Sequence, residues 1–223
     1  DAGNSRSASQ SHAIGDTVGY PDINFPQVNI DLIAGMLGDS DQKWHDAVAQ
    51  TIALSPDSVT IYQMELPYNT TISSDLLKGT GQFTESVATW STKRRWVREA
   101  FDALEGAGYI VSSAYTAVKN PQSTRFVYRD QLWQGADLAP LGVSSFGHIN
   151  GVHMQNLDSW GPYAASVRNA EIPLSRAFRP TAEERLIREL VLQLKRGSVR
   201  PTYFSGKYGV DIADRFAQAL ASL

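Results

Sequence analysis

An α/β fold built around parallel strands is what this chain predicts, and three observations carry the prediction. Short β-branched runs alternate with amphipathic helical stretches at roughly 30-residue intervals, the rhythm of βαβ units. Glycine or proline closes most of these runs, so strands and helices are punctuated rather than continuous. The 223 residues, 42% hydrophobic and 19% charged, have the balance of an ordinary globular protein with enough chain to bury a sizeable core.

The elements follow in order. Residues 1–24 are polar, rich in Ser, Gly, Asn and Asp, without a clear period, and read as a loop or disordered segment. "QVNIDLIAG" is a short apolar strand closed by Gly35. "SDQKWHDAVAQTIAL" places Trp44, Val48, Thr51 and Ile52 near helical spacing behind Ser40 as N-cap. Pro56 ends that helix and "DSVTIYQMEL" is the next strand, followed by a polar loop from Pro67 through "YNTTISSD". "ATWSTKRRWVREAFDALEGAG" is a strong helix with Trp96, Ala100, Ala103 and Leu104 on one face, stopped by Gly106 and Gly108. "YIVSSAYTAV" reads as a third strand and "DLAPLGVSSFG" as holding a fourth. From residue 172 the pattern predicts a small all-helical domain. Its first helix opens with Thr181 and Glu184 in capping-box spacing, carries Leu186, Leu190 and Leu194, and ends at Gly197. "TYFSGKYG" is a turn-like piece, and Asp211 caps a last helix.

Composition excludes several classes. A net charge of −3 and a pI near 5.8 give no general attraction to nucleic acid or anionic lipid. There is no apolar run of about 18 residues and no signal-peptide layout at the start, so neither a membrane partner nor export is expected, and the cytoplasm is the expected location. The chain has no cysteine, which removes disulfides, thiolate zinc sites and cysteine-held iron–sulfur clusters.

One acid stands out. In parallel sheets ligands gather at the carboxyl ends of strands, and Asp31 lies towards that end of the first strand. There a carboxylate can accept hydrogen bonds from a sugar-like diol, pair with a basic side chain of a neighbouring strand, or cap a turn; spacing alone does not choose.

Taken together, four segments resemble the radical S-adenosylmethionine (SAM) proteins related to oxygen-independent coproporphyrinogen III oxidase. "VNIDLIAGMLGDSDQKW" is similar to that family's "NIDL-I-GLP-Q" strand, turn and helix, and "LSPDSVTIYQMELPYNT" to its next strand, where "Y-L" precedes "PGT". "FVYRDQLWQGADLAPLGVSSFGHINGVHMQN" resembles the stretch "YW-G-DYLGLGAGA" that ends in asparagine, and "PTAEERLIRELVLQLKRG" with "YGVDI" resembles the helical C-terminal extension. The resemblance spans about residues 25–223. It implies half of a radical SAM-type barrel: a partial parallel (β/α) barrel over residues 25–171, with about four parallel strands, and a helical C-terminal domain over 172–223.

The resemblance also implies site residues. Asp31 takes the place of the aspartate that binds a ribose hydroxyl of SAM, Met64 the pocket-lining position of the next strand, and Phe146 a position that contacts SAM or a second SAM. The first strand is then expected to be central, with these three residues sharing one cleft. The family's C-x3-C-x2-C motif, which holds a [4Fe–4S] cluster, has no counterpart here, nor has the glycine-rich SAM motif that follows it. The chain therefore reads as a cluster-less portion of a radical SAM enzyme for oxidative decarboxylation or methyl transfer, with the methyl-transferring branch leaned towards because "QMELPYNT" departs from the oxidase wording. The substrate class is a porphyrin-like or other small organic molecule. A haem-binding chaperone of the same family, or an inactive truncated homologue, is the alternative. An upstream polypeptide, or edge-to-edge self-association, is expected to cover the first strand's free edge.

Other groups are candidates for substrate contact: Glu65 as an acid or base at a strand end, and His148 and His153 as contacts to a porphyrin-like substrate or ligands to haem iron. Core packing, capping and hydrogen bonding account for such residues equally well. The stripe Lys93, Arg94, Arg95 and Arg98 reads as a solvated helix face.

Overall fold

A computed structural model describes residues 25–66, 73 and 87–222. The polar segment 1–24 and nearly all of the loop that begins at Pro67 lie outside the described residues. The chain divides between Arg125 and Phe126 into two compact units, so the boundary expected after residue 171 falls inside the second unit.

The first unit is a four-stranded sheet with two helices. Its elements are β1 (Asn29–Ala34), α1 (Asp41–Leu54), β2 (Ser58–Gln63), α2 (Trp90–Gly106), β3 (Ile110–Ser113) and β4 (Thr116–Val118), and the strand order is β1-β2-β4-β3. β1 and β2 are parallel, joined by α1, with Asp31 opposite Thr60 and Ile33 opposite Tyr62. Ser40 caps α1 by accepting from the Lys43 amide. Trp44 and Val48 of α1 and Trp96, Ala100 and Leu104 of α2 bury themselves against Ala34, Val59, Ile61 and Ala117 of the sheet. Ala103, expected on that face, is exposed.

The expectation of about four parallel strands does not hold. β1 and β2 form the one parallel pair among the described residues, and no closed barrel is present among them. "YIVSSAYTAV" is not one strand but the antiparallel hairpin β3–β4, turned at Ala114 and Tyr115, where the Ser113 hydroxyl accepts from the Tyr115 amide. A parallel neighbour needs a long crossover, and a two-residue turn permits only reversal. Nor is β1 central. It is an edge of this sheet among the described residues.

The second unit holds a three-stranded antiparallel sheet and helices. β5 (Phe146–Ile149) and β6 (Val152–Asn156) form a hairpin, and β7 (Leu174–Phe178) pairs with β6. Asn150 and Gly151, at φ 49° and 76°, make the two-residue turn that an Asn-Gly pair favours. The fourth strand expected within "DLAPLGVSSFG" starts only at its end, at Phe146; before it Gly142 and Ser144 adopt positive φ and the chain turns. The helices are α3 (Val127–Trp133), α4 (Trp160–Arg168), α5 (Ala182–Leu194), α6 (Pro201–Tyr208), α7 (Ile212–Arg215) and α8 (Ala217–Leu220). Residues from 172 are therefore not all helical, because β7 precedes α5. The turn expected at "TYFSGKYG" is the helix α6, entered through Pro201 and left through Gly209 at φ 68°. The capping box of Thr181 and Glu184 is present, and Leu186, Leu190, Phe204 and Ile212 form a separate small core.

Candidate functional site

The two faces of the first sheet differ in chemistry. Leu32, Ala34, Val59 and Ile61 face the helices, whereas Asn29, Asp31, Thr60 and Tyr62 alternate onto the other side. The Asn29 carbonyl oxygen accepts from the Ser58 and Thr60 hydroxyls at 2.8 and 3.1 Å, and its amide donates to Asp31 Oδ1 at 2.6 Å. Asn29 is thereby locked, and it presents the carboxylate of Asp31. Asp31 is exposed and makes no ion pair among the described residues. Beside it the Tyr62 ring lies against Tyr115, with centroids 6.3 Å apart. Burial, followed by the negative charges of Asp31 and Tyr115, raises the Tyr62 phenol above its ordinary pKa.

At the carboxyl ends of β1 and β2 the backbone is held from below by Lys93. Its Nζ donates to the Met64 carbonyl at 2.8 Å, and the Met64 amide donates to the Ala34 carbonyl at 2.9 Å. The lysine stem packs so closely on Gly35 that a Cβ there would lie 2.6 Å from Lys93 Cε. Only 4% of Lys93 is exposed, and burial lowers its pKa, with Glu65 opposing the shift. Lys93 is thus no part of a solvated stripe. It occupies the buried face of α2 with Trp96, Ala100 and Leu104, and that 93–96–100–104 spacing is the sequence signal for it. Arg95 fits the solvated reading, pairing with Asp41 and Glu99. After β1, Asp39 accepts from the Gly35 and Met36 amides and closes the turn, and Glu65 is exposed at the end of β2.

Asp31, Met64 and Glu65 belong to the first unit; Phe146, His148 and His153 belong to the second. Phe146 opens β5 with 65% of its surface exposed. The turn before it is fixed by a residue that sequence reasoning passed over. Asn156, 2% exposed, donates from Nδ2 to the Pro140 and Gly142 carbonyls at 3.0 and 2.9 Å. The Tyr163 hydroxyl accepts from the Gly142 amide at 2.9 Å.

His148 and His153 face each other across the β5–β6 hairpin, ring centroids 4.6 Å apart. Burial, then the neighbouring His148 and Arg188, lowers the His153 pKa. Nearby, the buried Glu189 carboxylate of α5 accepts from Lys207 at 2.8 Å and from the Tyr203 hydroxyl at 2.7 Å. No group of three or more His, Cys, Asp or Glu able to hold a metal ion occurs among the described residues.

A pH dependence follows from this cluster. Burial, then the Glu189 carboxylate, raises both the Tyr203 and the Tyr208 phenols. Below the unfolded tyrosine pKa of about 10, both states are neutral and the stability is fully present. Above it the unfolded chain ionises while the folded chain resists, so stability falls as pH rises. The thermal midpoint is expected to drop between about pH 9 and pH 12, and less steeply in Tyr208→Phe. Equal slopes in the two proteins would contradict this.

Comparison with known proteins adds an independent line. No protein-family model matches the chain. An oxygen-independent coproporphyrinogen III oxidase of Pseudomonas aeruginosa is 22% identical over 187 residues, covering 77% of this chain and 38% of the relative. Among solved structures, coproporphyrinogen III oxidase from Escherichia coli, described as a radical SAM enzyme, aligns with a TM-score of 0.65 and 17% identity. That alignment covers 86% of this chain and 46% of the other. The chain thus spans less than half the length of either relative. No described helix is long and apolar enough to cross a membrane.

Proposed function

We propose that this chain, related as it is to oxygen-independent coproporphyrinogen III oxidase, is the SAM-binding portion of a radical SAM enzyme, without the part that carries its iron–sulfur cluster. The observation that supports the reading best is Asp31: an exposed carboxylate, free of ion pairs among the described residues, held by Asn29 in the middle of a parallel strand, on the sheet face opposite the helices. A carboxylate so placed suits the paired hydroxyls of a ribose. When bound, SAM would supply the adenosyl and methyl groups on which such enzymes act. The residues here would bind and orient it: Asp31 would accept from the ribose, Met64 would line the nucleoside, and Lys93 would hold the ends of β1 and β2 at a fixed spacing. A [4Fe–4S] cluster does not fit these residues, since there is no cysteine to ligate it, and no step through a cluster belongs to this chain. Oxidative decarboxylation or methyl transfer on a porphyrin-like or other small organic substrate belongs to the complete enzyme under this reading.

Calorimetric titration of the chain with SAM tests the proposal. Binding is expected, and Asp31→Ala is expected to weaken it by about tenfold or more, the worth of a hydrogen bond to a charged acceptor. No binding, or equal binding by the variant, would refute the assignment. A haem-binding chaperone is the second reading, and the buried His148 ring, without a hydrogen-bond partner among the described residues, favours it. The His148 and His153 rings, tilted by 37° with centroids 4.6 Å apart, leave no space for a macrocycle between them, so at most one of them would ligate iron. A haem titration followed by visible absorbance separates the two readings.

A further inference from the structure

Within the second unit, the turn of the β5–β6 hairpin and the entry to α5 border an open cleft of about 240 Å³, lined by Asn150, Gly151, Arg179, Pro180 and Arg185. Two guanidiniums therefore share one small cleft, and no acid lines it. Both arginines are exposed, and neither side chain makes an ion pair or a hydrogen bond among the described residues. Like charges on one cleft repel, and an anion held between them replaces that repulsion with two attractions.

The backbone makes room for this arrangement. A Cβ on Gly151 would stand 2.9 Å from Arg185 Nη1, so glycine lets that guanidinium lie over the hairpin turn. The Gly151 amide has no acceptor among the described residues, which adds an N–H donor to the lining. The nearby acids are engaged elsewhere: Asp137 accepts from the Asn150 amide at 2.8 Å, Glu183 pairs with Arg215 at 2.9 Å, and Glu184 closes the capping box with Thr181. Arg188, one turn further along α5 and half-buried, also forms no ion pair among the described residues, and its charge is felt at His153. The adjoining cavity of about 330 Å³, between the hairpin and the helices α5 and α6, differs in that its charges are matched within it. Lys207 there donates to both Glu189 oxygens at 2.8 and 3.0 Å, and the ring nitrogens of His148 are buried away from it.

We propose that the cleft between the hairpin turn and α5 binds a phosphoryl group, with Arg179 and Arg185 gripping its oxygens from two sides. Size and charge select the ligand together. The cleft is smaller than the roughly 300–1,000 Å³ that whole organic ligands occupy, so it takes an end group and leaves the rest of the molecule in solvent. Two guanidiniums on one end group call for two charges on it. A phosphate monoester carries about −1.5 to −2 near neutral pH, whereas a carboxylate carries one. The planar forks of arginine match phosphate oxygens in pairs. This site does not depend on SAM binding to the first unit, so either assignment can fail without the other.

The experiment follows the Gly151 amide and the arginine side-chain N–H groups of the isotopically labelled full chain by NMR at low salt. Inorganic phosphate, glycerol phosphate or succinate is added in turn. Both phosphates are expected to move the Gly151 and Arg185 resonances along a saturable curve in the millimolar range, and succinate to do so at least several-fold more weakly. Arg179→Gln and Arg185→Gln, at exposed positions where the fold should survive, are each expected to weaken phosphate binding by about tenfold, and the lysine variants to restore part of it. Arg168→Gln, an exposed arginine of α4 that does not line the cleft, is expected to change nothing. Resonances unmoved by tens of millimolar phosphate would overturn the proposal. So would equal weakening by Arg168→Gln, since the field of the whole unit rather than the cleft would then hold the anion. Succinate binding as tightly as glycerol phosphate would overturn the choice of ligand, and glycerol phosphate shut out while inorganic phosphate binds would overturn the end-group reading.

Discussion

Replacing Trp96 by alanine is expected to cost about 3–5 kcal/mol, a large part of the stability of a domain this size. Trp96 is 2% exposed and sits where α2 meets α1 and the sheet. Its ring stacks on Trp44 with centroids 6.1 Å apart, and its own carbonyl accepts from Trp44 Nε1 at 2.9 Å. Its indole nitrogen donates to Asp41, at the first turn of α1. Alanine would open a cavity among Ala100, Val48 and Ile61 and loosen both ties between the helices. Chemical denaturation followed by circular dichroism measures the loss. Trp90→Ala, at a tryptophan 47% exposed on the same helix, is the control and is expected to change stability by less than about 1 kcal/mol. Equal effects of the two substitutions would show that the helix interface is not where the unit's stability resides.

The second large effect is expected at Gly135, at about 3 kcal/mol or more for Gly135→Ala, the sum of two costs. The residue has φ +77°, a conformation that charges an L side chain about 1–2 kcal/mol. A Cβ there would also stand 2.0 Å from Glu189 Oε1, so the buried carboxylate would have to leave Lys207 and Tyr203. Breaking one side of a buried charge pair is expensive because the remaining charge is left unpaired. Gly206→Ala makes a sharp comparison. That glycine lies within α6, and a Cβ added to it would meet nothing within 4 Å, so alanine there is expected to be neutral or stabilising by up to about 1 kcal/mol. Thermal melts of the two variants, shifted in opposite directions, would support this account; a tolerated Gly135→Ala would contradict it.

Local chemistry is legible in the sequence wherever it is strong. Ser40, the Thr181–Glu184 pair and Asp211 announce helix starts, and each makes its capping hydrogen bond. β1 and β2 are legible as β-branched runs between a glycine and a proline. The β3–β4 reversal is not, because "SSAY" holds no Gly, Pro or Asn and the turn depends on one serine hydroxyl. α6 hides behind Gly206, although Pro201 at its first position and Gly209 beyond its last are the ordinary marks of a short helix. The last amphipathic stretch likewise becomes α7 and α8, interrupted at Phe216.

At the level of the site, Asp31 is readable because a lone acid in an apolar strand is conspicuous. Lys93 is hidden by its basic neighbours, which draw it into a surface reading that only the helical spacing contradicts. The cavity residues cannot be grouped from the sequence at all. Gly135, His148, Arg185, Glu189 and Lys207 are scattered along the chain, and it is the pairing of β5 with β6 and the packing of α5 and α6 that gathers them.

The outer position of β1 has a consequence for Asp31 that is colloidal rather than enzymatic. Among the described residues β1 has no strand along one side, and such an edge is a template for other chains, which "NIDLIA" is otherwise apolar enough to recruit. Asp31 is its one charge, set in the middle of the strand, and like charges on two such strands brought side by side repel. The acid that would hold a ribose would then also disfavour pairing of two such edges. Recognition, if Asp31 performs it, and resistance to edge pairing would then rest on a single carboxylate.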